Sequence, residues 1–325
     1  MAAGVTLTHR IVPVRDGRIH LVEEGEGPLV LLVHGFPESW YSWRHQIPAI
    51  AAAGFRAVAI DVRGYGRSSK PTAIEAYRLL AHVADNLGVV AALGADSAIV
   101  IGHDWGSPIA STSALLRPDI FRAVGILSVA YPAVGAVRPT ESFAAMGGSE
   151  EFYINYFQQP GRAEAEIEAD VRSWLLGFYI GASGDALPTP DGGTIATVRR
   201  GGQLRDRFVP PPTMPPWLSS ADLDFYTDEF EHSGFAGPLN RYRNVDRDWE
   251  DLGVWAGRPI TVPSLFIGGE RDGPTIWGAS AIAKFPTTMP ASHGTHILPG
   301  CGHWVQQERA GDVNALLVDF LDSLA

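Results

Sequence analysis

The pentapeptide Gly102-His103-Asp104-Trp105-Gly106 carries the first chemical signal in this sequence. It follows an apolar run, 97–101, and precedes a helical stretch. Gly-x-nucleophile-x-Gly at such a junction is the pattern of a tight strand-to-helix turn that lifts one side chain above the end of a sheet. Small residues on either side let the strained turn close. Where a serine is common, this chain has Asp104. A carboxylate, with a reference pKa of about 3.9, is charged at neutral pH and needs no base to activate it. It suits attack on a saturated carbon, which leaves an alkyl ester on the enzyme. The competing reading of Asp104 is an acidic cap on the following helix.

Other segments fit the same chemistry. His34-Gly35-Phe36-Pro37 ends an earlier apolar run, where backbone N–H groups can face a developing oxyanion. The amides of Phe36 and Trp105 are the candidate oxyanion hole, although Gly-x-Pro alone is an ordinary strand-end turn. Gly300-Cys301-Gly302-His303-Trp304 places a histidine in a glycine-rich loop near the C-terminus. A lone histidine is more often structural, but His303 follows nucleophile and acid in chain order and is the candidate base. Gly268-Gly269-Glu270-Arg271-Asp272 offers Asp272 as the acid that orients His303, with Glu270 as the alternative. Cys301 reads as a small buried residue, and His103 as packing beneath the turn. No cluster of His, Cys and acidic residues has ligand spacing, so neither a metal nor an organic cofactor is expected.

The elements that must position these groups follow a regular order. Apolar runs at 5–14, 19–23, 28–33, 56–62, 97–101 and 123–130 read as strands. The run 28–33 is the continuous Leu/Val type that is buried on both faces of a parallel sheet. Helical stretches at 43–53 and 75–92 alternate with them, which implies a doubly wound, mostly parallel α/β sheet. From about Val134 to Asn244 the alternation stops. An amphipathic helix is expected over 164–174, and Pro210, Pro211, Pro212, Pro215 and Pro216 exclude a helix interior or central strand over 209–217. Strands at 262–267 and 295–298 and helices at 276–284 and 313–324 then resume the pattern. The chain therefore reads as a core domain, 1–133 with 245–325, and an inserted helical domain, 134–244.

Composition narrows the setting. The 325 residues are 46% hydrophobic, enough for a full core, and the net charge is -11 without a Lys/Arg run, which argues against nucleic acid as a partner. The single cysteine precludes an intramolecular disulfide and fits a reducing compartment. Residues 1–4 lack the basic and apolar parts of a signal peptide, and no uncharged stretch is long enough to span a bilayer. A cytoplasmic protein without membrane insertion is expected; its oligomeric state is open, a homodimer included.

Nearly the whole chain resembles the soluble epoxide hydrolases of the α/β-hydrolase superfamily. The resemblance rests on His34-Gly35-Phe36-Pro37-Glu38-Ser39-Trp40, Gly64-Tyr65-Gly66-Arg67-Ser68-Ser69, the Asp104 pentapeptide and Gly302-His303-Trp304. In the inserted block it rests on Tyr153-Ile154-Asn155-Tyr156-Phe157-Gln158 and Gly237-Pro238-Leu239-Asn240-Arg241-Tyr242-Arg243-Asn244. It implies an α/β-hydrolase fold with a helical cap that supplies two tyrosines, Tyr153 and Tyr242, as acids toward an epoxide oxygen. Tyr156 is the weaker candidate, because the first tyrosine of Tyr-x-x-Tyr-Phe-Gln is the acid in the family. A phenol, with a reference pKa of about 10, stays protonated at neutral pH and can donate to a forming alkoxide. The implied reaction converts a small apolar epoxide to a vicinal diol through an Asp104 ester, in a role such as detoxification. Ser107 departs from the family, which often has a second glycine there, and 286–293 is a less typical lead-in to the last strand. A haloalkane or haloacid dehalogenase is the alternative, with Trp105 donating to a halide, but haloalkane dehalogenases commonly carry Asn where this chain has Phe36. A non-catalytic sensor on the same scaffold would be expected to lose one of Asp104, Asp272 and His303, and all three stand.

Overall fold

The computed structural model describes residues 7–132, 135–189 and 191–324. The expected start of the first strand at Val5 and the domain boundary at 133/134 lie outside the described residues. Among the described residues ten strands form: β1 (Thr8–Val14), β2 (Gly17–Glu24), β3 (Leu29–Val33), β4 (Arg56–Ile60), β5 (Ala98–His103), β6 (Phe121–Leu127), β7 (Glu151–Phe152), β8 (Thr197–Val198), β9 (Ser264–Gly269) and β10 (Ser292–Leu298). Eight of them make one sheet in the order β1-β2-β4-β3-β5-β6-β9-β10. β2 pairs antiparallel with β1 and with β4, and every pairing from β4 onward is parallel. β3 and β5 sit at the centre and are buried along their whole length, which is why LVLLV and AIVIGH show no polar alternation.

Successive β3 side chains nevertheless point to opposite faces. Leu31 and Val33 pack with Val89, Val90 and Ile109 of the helices Leu79–Ala92 and Gly106–Leu116. Val30 and Leu32 pack with Ile47, Ile50, Leu317 and Phe320 of the helices Gln46–Ala52 and Ala310–Asp322. The doubly wound expectation is met. The loops leaving the C-terminal ends of β3, β5, β9 and β10 carry Phe36, Asp104, Asp272 and His303, as an open parallel sheet places its ligand site.

Between β6 and β9 the chain is mainly helical, with the small β7–β8 ribbon and the helices Pro139–Gly147, Arg162–Ile167, Val171–Ala182, Ser220–Ser233 and Ala236–Tyr242. The helical run continues past residue 244 as Val245–Asp251. The single helix expected over 164–174 is two helices, because Asp170 leaves helical geometry and its side chain accepts the Ser173 N–H at 3.0 Å to start the second. The helix expected over 276–284 is also two short pieces, Gly273–Trp277 and Ala279–Ile282, the first begun by Asp272 as its cap. Residues 209–217 form neither helix nor strand, as their prolines require.

Candidate active site

Asp104 holds a left-handed backbone, φ 52°, at the turn from β5 into the helix Gly106–Leu116. Such a conformation is strained for a residue with a side chain. The flanking glycines allow it: a Cβ on Gly102 would lie 1.9 Å from Gly106 O, and one on Gly106 would lie 1.9 Å from Val33 O. Asp104 is 7% exposed. Its Oδ1 accepts the Phe36 N–H at 2.8 Å, and its Oδ2 stands 3.4 Å from His303 Nε2. Burial opposes the charge, but the hydrogen bond and charge of His303, with His103 and the Phe36 N–H, outweigh it and hold the carboxyl below the usual carboxylate range. The Trp105 amide opens the following helix and has no acceptor among the described residues.

His303 reaches Asp104 from the loop after β10, and its Nδ1 lies 2.8 Å from Asp272 Oδ1. Asp272 is fully buried, and its Oδ2 accepts the Thr275 hydroxyl at 2.7 Å and the Thr275 N–H at 3.2 Å. Burial disfavours an imidazolium, yet Asp272 and Asp104 together keep His303 protonated well above the ordinary histidine range. Glu270 is exposed and accepts the Gly300 N–H instead, so the geometry favours Asp272 of the two acids. Cys301 is buried, and burial pushes its thiol up, away from the nucleophilic thiolate.

Tyr153 and Tyr242 line the same cavity as Asp104, Asp272 and His303, with a volume of about 290 Å³ and walls that include Phe36, Phe178, Ile195 and Trp277. Their rings lie 6.1 Å apart, and both pack against Phe157. Burial pushes both phenols up, and the negative charge of Asp104 adds to it, so both remain proton donors at neutral pH. Tyr156 faces elsewhere, donating to Glu166 at 2.5 Å beneath the Arg162 guanidinium. The Trp105 indole packs edge-on against Tyr242 and beneath Arg241, within hydrogen-bonding reach of the Tyr242 hydroxyl.

Sequence reasoning missed the support of the His303 loop. The His303 carbonyl accepts from His103 Nε2 and from the Ser128 hydroxyl, each at 2.8 Å. A carbonyl only accepts, so His103 Nε2 carries a proton. His103 Nδ1 lies 2.8 Å from Glu38 Oε2, and Glu38 Oε1 accepts from Gln306 and Gln307. His103 packs beneath the turn as expected, but as a hydrogen-bonded link.

The sequence matches the alpha/beta hydrolase fold family over residues 28–310. Epoxide hydrolase B of Mycobacterium tuberculosis is 46% identical over 97% of this chain and 98% of its own length. The chain belongs to the epoxide hydrolases. Epoxide hydrolase A of the same organism is 42% identical over 98% of both chains. The solved structure of an epoxide hydrolase from an endophytic Streptomyces superimposes with a TM-score of 0.95 at 64% identity, covering 98% of this hydrolase and 96% of that chain. The recognition made from the motifs and the fold class are both met. None of the described helices of the hydrolase is long and apolar enough to cross a membrane.

Proposed function

We propose that this enzyme opens epoxides to vicinal diols in two steps through an ester on Asp104. One observation carries the reading: Asp104 has one oxygen on the Phe36 N–H and the other beside His303, in a cavity that two phenols share. In the first step Tyr153 and Tyr242 donate hydrogen bonds to the epoxide oxygen while Asp104 Oδ2 attacks a ring carbon. The C–O bond of the ring breaks, and a tyrosine proton passes to the leaving alkoxide. In the second step His303 takes a proton from water, which attacks the carboxyl carbon of the ester. Negative charge gathers on Oδ1, where the Phe36 N–H, joined by that of Trp105, stabilises it. Collapse of the intermediate breaks the bond between the carboxyl carbon and Oδ2, the departing diol oxygen takes the proton from His303, and the proton of the re-formed Asp104 carboxyl returns through solvent to the tyrosinate. Asp272 orients His303 and stabilises its imidazolium.

The helical block, residues 134–244, serves as a cap that supplies both phenols. The apolar walls of the cavity suit a small apolar epoxide. Incubation with simple epoxides and with haloalkanes of similar size tests the reading. Diol from the epoxides without halide from the haloalkanes is expected; halide release without diol overturns it.

A further inference from the structure

The end of the helix Val171–Ala182 is bound to three loops of the sheet. Its Tyr179 hydroxyl donates to Pro37 O at 2.5 Å, and Tyr179 O accepts the Trp304 indole N–H at 2.8 Å. Ala182 O accepts the His303 N–H at 2.9 Å, and Gly184 O accepts from Arg271 Nη1 at 2.9 Å. Those loops hold the Phe36 amide, the base and the acid.

Glu308 closes this joint. Its Oε2 accepts the N–H of Gly184 from the helical block at 2.9 Å and that of Gly302 at 2.8 Å. Its Oε1 accepts the N–H of Trp304 at 3.0 Å. The two backbones touch directly here. A Cβ on Gly184 would lie 2.1 Å from Gly300 O, and one on Gly302 would lie 2.2 Å from Gly184 N. Such contact leaves backbone N–H groups from both sides converging on one place, where a carboxylate satisfies three of them. Two of the three flank His303.

We propose that Glu308 is a positioning residue for the base: by tying the residues on either side of His303 to Gly184, it sets the reach of the imidazole toward the Asp104 ester. This rests on the two-step reading above. Among the described residues Glu308 has no hydrogen bond to Asp104, Tyr153 or Tyr242 and reaches Asp104 only through His303, so its effect falls mainly on ester hydrolysis, where His303 must move a proton, and only weakly on ring opening.

The test separates the half-reactions in single turnovers with excess enzyme, following the ester by quenched mass spectrometry of the intact protein. Glu308→Ala should form the ester within about 3-fold of the wild-type rate and hydrolyse it about 10- to 100-fold more slowly, the size of loss that a small misplacement of a reacting group produces. Glu308→Gln, which keeps an acceptor for two of the three N–H groups, should fall between. Half-reactions that are both unchanged, or that slow by the same factor, overturn the proposal. Should the variants not fold, amide hydrogen exchange in the wild type decides. Gly184, Gly302 and Trp304 should be protected together, and a Gly184 amide that exchanges like an open loop overturns the clamp. A wild type that forms no ester contradicts the Asp104 reading instead, and the exchange measurement then judges the joint alone.

Discussion

Asp104 Oδ2 and His303 Nε2 stand 3.4 Å apart, longer than the roughly 2.7–2.9 Å of a tight charge-assisted hydrogen bond. The other oxygen is held at 2.8 Å by the Phe36 N–H. In the proposed mechanism the carboxylate is thus fixed by the oxygen that would bear the negative charge of the tetrahedral intermediate, and is loosely engaged through the oxygen proposed to attack. The same spacing lets His303 address water placed against the ester carbon.

The two carboxylates around His303 give a pH prediction. In the free enzyme, Asp272 and Asp104 hold the imidazolium well above the ordinary histidine range against the effect of burial. Esterification removes the charge of Asp104, so the His303 pKa falls and the neutral base becomes available for the step that needs it. Ester breakdown should slow as pH falls through that lowered pKa. Its acid limb should lie at lower pH than the His303 titration of the free enzyme followed by NMR. Coincidence of the two would contradict this account.

Asp272→Asn should slow ester breakdown by about 10²-fold or more, because the base loses its orienting charge. Glu270→Gln should leave both half-reactions within about 2-fold, since its loss touches only an exposed contact with the Gly300 amide. Single-turnover rates check both. An inactive Glu270→Gln beside an active Asp272→Asn would reverse the assignment.

Tyr153→Phe and Tyr242→Phe should each slow ester formation, with the double variant losing about 10²–10⁴-fold. The singles should lose less, because either phenol can still donate to the one oxygen. Alkylation rates measured with excess enzyme decide this, and a double variant that alkylates at the wild-type rate sinks the phenol assignment.

Tyr156→Phe should show the opposite pattern. Glu166 accepts the Tyr156 hydroxyl, the Trp174 indole N–H and the Leu204 and Arg205 amides. Losing one donor to this buried carboxylate should cost about 1.5–3 kcal/mol of stability. Denaturant unfolding should show the loss while both half-reactions keep their rates.

The parts legible in the sequence are those set by local sterics. Gly102 and Gly106 mark the turn because any Cβ there collides with backbone, and the LVLLV and AIVIGH runs mark central strands because both faces are covered. Asp272 was preferred over Glu270 in the 268–272 loop, but the sequence left Glu270 open as the alternative, since only the fold shows which of them meets His303 across 31 residues. The break at Asp170 was readable as a helix cap three residues before Ser173, but the apolar spacing across it hid the signal. Ser128 was beyond reach because its partner, the His303 carbonyl, lies 175 residues away, and so was the cap-side half of the Glu308 contact. Glu308 bonds Gly184 across 124 residues.

The central claim is that Asp104 itself attacks carbon, and oxygen labelling tests it most directly. Under the covalent route, water attacks the carboxyl carbon and the diol leaves with an oxygen that belonged to Asp104. The alternative, with Asp104 as a general base for direct water attack, forms no tetrahedral acyl centre and gives the Phe36 and Trp105 amides no charge to stabilise. In a single turnover in oxygen-18 water with excess enzyme, label should appear in the peptide containing Asp104 and be absent from the diol. Label in the first-turnover diol with none on Asp104 would contradict the covalent mechanism.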